Sequence, residues 1–229
     1  DVQGAKIDMI RSVAKKLNTP IGIMVDIQGP KHRIGNFETE NHYSLKVGQK
    51  FTLDSDLTLG NEKRVQLPDT DVMASLNIGA RILLNDGKIE LRVDAVFDDK
   101  IETTVIRGDE IWSRRGFNLP DTDLDIDILT PKDRDDLEYA LTKNPDFVAV
   151  SFVQRAEDIS MVRDFITQRT SHPVKIIAKI ERPNAVARIS DIITASDGIM
   201  IARGDLAVEL PFEQVKLRSE ERFSRNAET

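Results

Sequence analysis

Two apolar runs that stop abruptly in charge constrain this chain more than anything else in it. Lys175-Ile176-Ile177-Ala178-Lys179-Ile180-Glu181 and Gly198-Ile199-Met200-Ile201-Ala202-Arg203-Gly204-Asp205 each carry at least three consecutive apolar positions before the charges begin. A short run of this kind reads as a strand buried on both faces, as in a parallel sheet covered by helices. Charge concentrated at the C-terminal end of such a strand is the pattern of an α/β barrel, where polar groups gather at the mouth. The two-residue period of a strand puts Lys179 and Glu181 on one face. A cation and a carboxylate pointing the same way, with a second carboxylate at Asp205, suit a divalent metal and a transferring phosphoryl group.

The rest of the chain divides by rhythm. Ile7, Ile10, Val13, Ala14 and Leu17 recur at helical spacing, predicting an amphipathic helix over 5–17 that ends at Asn18-Thr19-Pro20. Ile21–Ile27 reads as a buried strand closed by the Gly29-Pro30 turn. From about 35 to 118 the pattern becomes short alternating segments (50–53, 64–67, 81–84, 89–96 and 101–106) with turn signals such as Asp86-Gly87 and Gly108-Asp109 between them. This predicts a small all-β barrel. Beyond Pro120 the helix–strand rhythm resumes. Thr130 is the expected N-cap of a helix over 131–143, with Pro131 at its first position and Asp133 three residues on. Strand 146–152, helix 156–169, strand 174–181, helix 183–195 and strand 198–203 follow. The expected fold is therefore α/β: part of a (β/α)8 barrel formed by 1–34 and 119–229, interrupted by a β-barrel insert at 35–118.

Composition excludes several chemistries. With no cysteine there is no disulfide, thiolate metal site or cysteine nucleophile, and the three histidines, His32, His42 and His172, have no zinc spacing. A net charge of −7 argues against a nucleic-acid surface. No apolar stretch approaches the roughly 20 residues that span a bilayer.

Taken in order, the motifs closely resemble those of the pyruvate kinase family. Val25-Asp26-Ile27-Gln28-Gly29-Pro30-Lys31-His32-Arg33 is similar to the barrel strand preceding that family's inserted domain. Leu84-Asn85-Asp86-Gly87-Lys88-Ile89 and Arg115-Gly116-Phe117-Asn118-Leu119-Pro120 resemble two motifs of its lid. Leu129-Thr130-Pro131-Lys132-Asp133, Val148-Ala149-Val150-Ser151-Phe152-Val153, Ile177-Ala178-Lys179-Ile180-Glu181 and Ala202-Arg203-Gly204-Asp205-Leu206 complete the series, over residues 5–215.

The resemblance implies phosphoryl transfer between phosphoenolpyruvate and ADP in glycolysis, yielding pyruvate and ATP, in a cytoplasmic protein whose full-length form is a homotetramer. On this reading Glu181 and Asp205 hold Mg2+ or Mn2+, and Lys179 and Arg33 meet the transferring phosphoryl group. Ser151 and the backbone of Ala202, Arg203 and Gly204 contact the substrate, and Asp86 and Arg115 belong to the nucleotide lid. Most relatives carry a glutamate where this chain has Lys31, and need potassium. Lys31, with Ile27, Gln28 and Ile34, resembles the potassium-independent branch, so its ammonium stands in for K+, and Asp26 is a remnant of the monovalent site.

Compared with that family, the first two barrel strands, the last strands and the C-terminal domain have no counterpart here, and 216–229 does not resemble the continuation. The expectation is a shortened chain with little turnover alone. Two further readings stay open: a metal-dependent barrel aldolase of the phosphoenolpyruvate type, against which the insert argues, and a non-catalytic fragment.

Overall fold

The computed structural model describes residues 2–40, 42–122, 124 and 127–210. In chain order the elements are α1 (Val2–Lys16), β1 (Met24–Ile27), β2 (Tyr43–Ser44), β3 (Lys50–Asp54), β4 (Arg64–Gln66), α2 (Thr70–Ser75), β5 (Arg81–Leu84), β6 (Ile89–Val96), β7 (Lys100–Arg107), β8 (Glu110–Ile111) and β9 (Phe117–Asn118). There follow α3 (Pro131–Leu141), β10 (Phe147–Val150), α4 (Ala156–Thr167), β11 (Lys175–Ile180), α5 (Pro183–Ala187), α6 (Ile189–Ala195), β12 (Gly198–Ile201) and α7 (Arg203–Glu209). They group into two compact units, one of residues 1–30 and 126–202, the other of 31–125 and 203–229.

The first unit is built on a four-stranded parallel sheet in the order β1-β10-β11-β12, the geometry of a half-barrel. The two central strands are buried as expected, Val148, Ala149, Val150, Ile176 and Ala178 completely and Ile180 nearly so. The outer strands are not: Met24 is 45% exposed and Gly198–Ile201 is only half-buried, because each lies at an edge of the sheet. Two aspartates fasten the lower ends of the strands. Asp146, just ahead of β10, accepts the Ile23 amide at 2.7 Å, and Asp197, just ahead of β12, accepts the Ile176 amide at 2.8 Å. Each ties its own strand to the neighbour it pairs with.

Helix α3 begins as expected. Thr130 and Asp133 form a reciprocal capping box with Pro131 in the first turn, satisfying donors that a helix start leaves open. Asp133 is 1% exposed and does more than cap, because its Oδ1 also accepts the Gly29 amide at 3.1 Å. The single helix expected over 183–195 is two, α5 and α6, broken at Arg188 where φ is −102° and ψ is 15°.

Helix α1 differs from expectation in what it buries. Its apolar stripe is not covered by the described residues: Ile10 is 39%, Val13 45% and Leu17 70% exposed. The helix is held by polar contacts to the end of α3 instead. Arg11 donates to the carbonyls of Lys143 and Asn144, groups left open at a helix C-terminus, and Lys143 pairs with Asp8 at 2.7 Å.

The second unit has a six-stranded sheet in the order β4-β3-β7-β6-β5-β9 and a ribbon of β2 with β8. Phe51, Leu53, Leu67, Leu84, Leu91 and Ile101 form its core. It also contains the short helices α2 and α7, which alternation alone did not predict. This unit reaches beyond 35–118 because Ile34 donates to the Arg115 carbonyl, Arg81 grips Asp121, and Asn118 bonds Glu209 of α7 at 2.9 Å.

Candidate functional site

The ends of β1, β10 and β11 bring four predicted residues together. Lys179 Nζ lies 3.0 Å from Glu181 Oε1, 3.1 Å from Asp26 Oδ2 and 2.9 Å from Ser151 Oγ, and the Ser151 hydroxyl also reaches Asp26 at 3.3 Å. Parallel register explains the meeting: Asp26 pairs with Ala149 and Ala149 with Ile177, so the strands end side by side. Lys179 and Glu181 share a face, as the strand period requires. Burial is graded, with Glu181 3% exposed, the Lys179 side chain 14% and Asp26 54%. Ser151 binds Lys179 and Asp26 here; the cap of α4 comes instead from Asp158, which accepts the Gln154 and Arg155 amides.

Burial on its own pulls the Lys179 ammonium toward neutrality. Its hydrogen bonds and attraction to Glu181 and Asp26 outweigh that, so its pKa is raised and the side chain stays a cation. The arrangement is a caged positive charge at a sheet rim, able to bind an anion that displaces one of its carboxylate partners.

The backbone behind this cluster is unusual. Phe152 has φ of +58°, a left-handed conformation that costs a bulky residue about 1–2 kcal/mol. Its N–H donates to Glu181 Oε2 at 2.8 Å. Gly29 is also left-handed, at φ +68°, and a Cβ there would sit 3.1 Å from the Phe152 ring and 3.2 Å from the Ser151 carbonyl. Sequence reasoning passed over both Phe152 and the second role of Asp133. No local pattern marked Phe152, because 146–152 reads as one strand whereas β10 ends at Val150.

Of the other predicted residues, only Ala202 belongs to the first unit. Ala202 donates its amide to the Ile180 carbonyl at 3.1 Å and so belongs to the sheet edge. Arg203, Gly204 and Asp205 are exposed in the first turn of α7, which clusters with the second unit, and a Cβ on Gly204 would meet nothing within 4 Å.

In the second unit, Lys31 and Arg33 are exposed and line an open cleft of about 390 Å³ with His32, Pro68, Asp69 and Thr70. Arg33 donates to the Arg114 carbonyl at 2.9 Å. His32 pairs with Asp69 at 2.9 Å and stacks on Phe117 at 5.5 Å. Asp86 sits exposed in a hairpin turn, with Gly87, where both residues have positive φ as a type I′ turn demands. Arg115 lies over the Trp112 ring at 4.8 Å, a cation–π contact that orders an otherwise exposed guanidinium. Among the described residues no group of three or more His, Asp or Glu side chains could hold a metal by itself, and no helix is long and apolar enough to cross a membrane.

Parallel strands joined through helices, with a charged cluster at their C-terminal ends, place the chain in the α/β barrel class. The family model described as "Pyruvate kinase, barrel domain" matches residues 1–226, past the stretch that carries the recognisable motifs. The chain belongs to the pyruvate kinase family. It is 45% identical to a pyruvate kinase of Methylorubrum extorquens over 92% of this chain and 43% of that protein, and 37% identical to one from Geobacillus stearothermophilus over 93% and 37%. A crystal structure of a pyruvate kinase from Cryptosporidium parvum superposes with a TM-score of 0.88 at 35% identity, covering 94% of this chain and 46% of that one. The chain thus spans under half the length of these relatives.

Proposed function

We propose that this chain serves phosphoryl transfer from phosphoenolpyruvate to ADP, giving pyruvate and ATP, in the cytoplasm. The observation that carries the reading is the Lys179 ammonium held by Asp26, Ser151 and Glu181 at the ends of three adjacent parallel strands, in a chain of this family. In the reaction the bond between phosphorus and the enol oxygen breaks, and one forms to a β-phosphate oxygen of ADP. The enolate left behind takes a proton at its terminal carbon to become pyruvate.

Lys179 is assigned the phosphoryl oxygens, where its cation, released from a carboxylate partner, stabilises charge as it spreads in transfer. Arg33 is assigned the same group, because a guanidinium can hold two oxygens at once. Glu181 and Asp205 offer hard carboxylate oxygens for Mg2+ or Mn2+. That pair suits magnesium, which binds through one or two carboxylates and completes its shell with substrate oxygens and water. A divalent cation held by these carboxylates would supply positive charge to the phosphoryl oxygens. The amides of Arg203 and Gly204, free of the ladder at a helix start, are assigned the substrate carboxylate.

We assign residues 1–34 and 119–229 to the barrel domain and 35–118 to a nucleotide lid in which Asp86 and Arg115 exclude water. Lys31 takes the part of potassium with one charge and three donors, and Asp26 serves Lys179 instead of a monovalent ion. The full-length protein is proposed to be a homotetramer.

Titration with phosphoenolpyruvate in magnesium buffer tests the reading. Lys179→Met is expected to weaken binding about 10–100-fold, the scale of losing one hydrogen bond to a charged group. A wild-type chain with no affinity for phosphoenolpyruvate, or a variant that binds as well as the wild type, overturns it.

A further inference from the structure

We infer that Phe152 is a positioning residue: its left-handed backbone turns the amide N–H onto Glu181 Oε2 and presets the carboxylate beside Lys179. The inference rests on Glu181 being a divalent-cation ligand, as proposed above, and goes beyond it by identifying what fixes that ligand.

The β10 ladder ends at Val150, paired with Ala178. Phe152 lies two residues past that last pair, so its N–H has no strand partner of its own. The φ of +58° aims it at Glu181 Oε2, 2.8 Å away, while Lys179 takes Oε1 at 3.0 Å. The two grips differ in kind. Lys179 ends a flexible side chain shared among Glu181, Asp26 and Ser151, and it must loosen those contacts to meet an anionic substrate. The Phe152 amide is main chain and cannot swing away, so Glu181 keeps its orientation when Lys179 changes partners. Outer groups that orient a metal ligand in this way typically matter 10–100-fold in metal affinity.

The strained turn is itself held from behind. The Phe152 ring lies against Gly29, where an added Cβ would stand only 3.1 Å from it, and the Gly29 amide is bound by buried Asp133. A continuous set of contacts therefore runs from the start of α3, through the turn after β1 and the end of β10, to Glu181.

Two substitutions separate a backbone role from ring packing. Glycine adopts the left-handed conformation freely, whereas valine is nearly excluded from it. Binding of Mn2+ to the chain, followed by electron paramagnetic resonance of the free ion, is expected to weaken about 10–100-fold in Phe152→Val. Phe152→Gly is expected to stay close to wild type although it removes more volume. If glycine proves as damaging as valine or worse, the ring rather than the amide carries the role and the inference is overturned. Phe152→Ala, which keeps the left-handed penalty without branching, replaces valine if that variant does not fold.

Amide hydrogen exchange supplies a readout that needs no metal. The Phe152 amide is expected to be protected in the wild type and to exchange at least tenfold faster in Glu181→Ala; fast exchange in the wild type refutes the contact. A wild type that binds no Mn2+ but protects this amide overturns the cation reading of Glu181, and with it the positioning role.

Discussion

Asp133 offers the sharpest test of how the strand ends are held. One carboxylate, 1% exposed, serves two structures. Oδ2 accepts from the Thr130 amide at 3.2 Å and from its hydroxyl, closing the capping box of α3, and Oδ1 accepts from the Gly29 amide at 3.1 Å. Asp133→Ala removes both. Loss of a helix cap costs about 1 kcal/mol. A buried amide left without an acceptor costs a further 1–3 kcal/mol or so. The expected loss is therefore about 2–4 kcal/mol, which in a chain of this size lowers the melting temperature by roughly 4–16 °C. Asp133→Asn keeps only one accepting oxygen and should fall between. Far-UV circular dichroism during urea unfolding is the suitable assay, because most of the helix lies in the first unit while the only tryptophan, Trp112, lies in the second. If Asp133→Ala unfolds within about 0.5 kcal/mol of wild type, the size of an ordinary surface change, the carboxylate is not holding both elements.

Two other expectations concern charge. The raised pKa of Lys179 means that its contribution to stability is complete below the ordinary lysine value of 10.5 and disappears as pH climbs through the higher folded value. The stability difference between wild type and Lys179→Met, followed by urea unfolding across alkaline pH, should shrink only above that point; a difference that vanishes nearer neutrality contradicts the assignment. For Lys31 the expected result is phosphoenolpyruvate affinity, and any turnover, equal within about twofold in sodium-only and potassium buffers. Activation of tenfold or more by potassium would show that the ammonium does not replace the ion.

How much could be read from residues alone varies with the physics behind each element. The hairpin β5–β6 was legible to the residue, because alternation and the Asp86-Gly87 turn specify the same register. So was the start of α3, where cap, proline and Asp133 agree. The meeting of Lys179 with Glu181 followed from the strand period. Ser151 and Asp26 joined them through the register of separate strands, which no local pattern encodes. Helices α2 and α7 escaped notice because six or seven residues are too few for periodicity to rise above alternation. The stripe on α1 is a true helical signal, yet its burial is a tertiary matter that spacing cannot settle. Phe152 was the most hidden, since a left-handed aromatic contradicts local preference and is tolerated only because Gly29 and Glu181 accommodate it.

The paired aspartates at the feet of β10 and β12 carry a consequence for how such a chain can change. They lock strand alignment at the rim opposite the ammonium cluster, so framework and chemistry draw on different residues. Substitutions around Lys179 can then alter what is bound while each strand keeps its neighbour. The reverse does not hold: loss of Asp146 or Asp197 would weaken the alignment on which the meeting of site residues from separate strands depends.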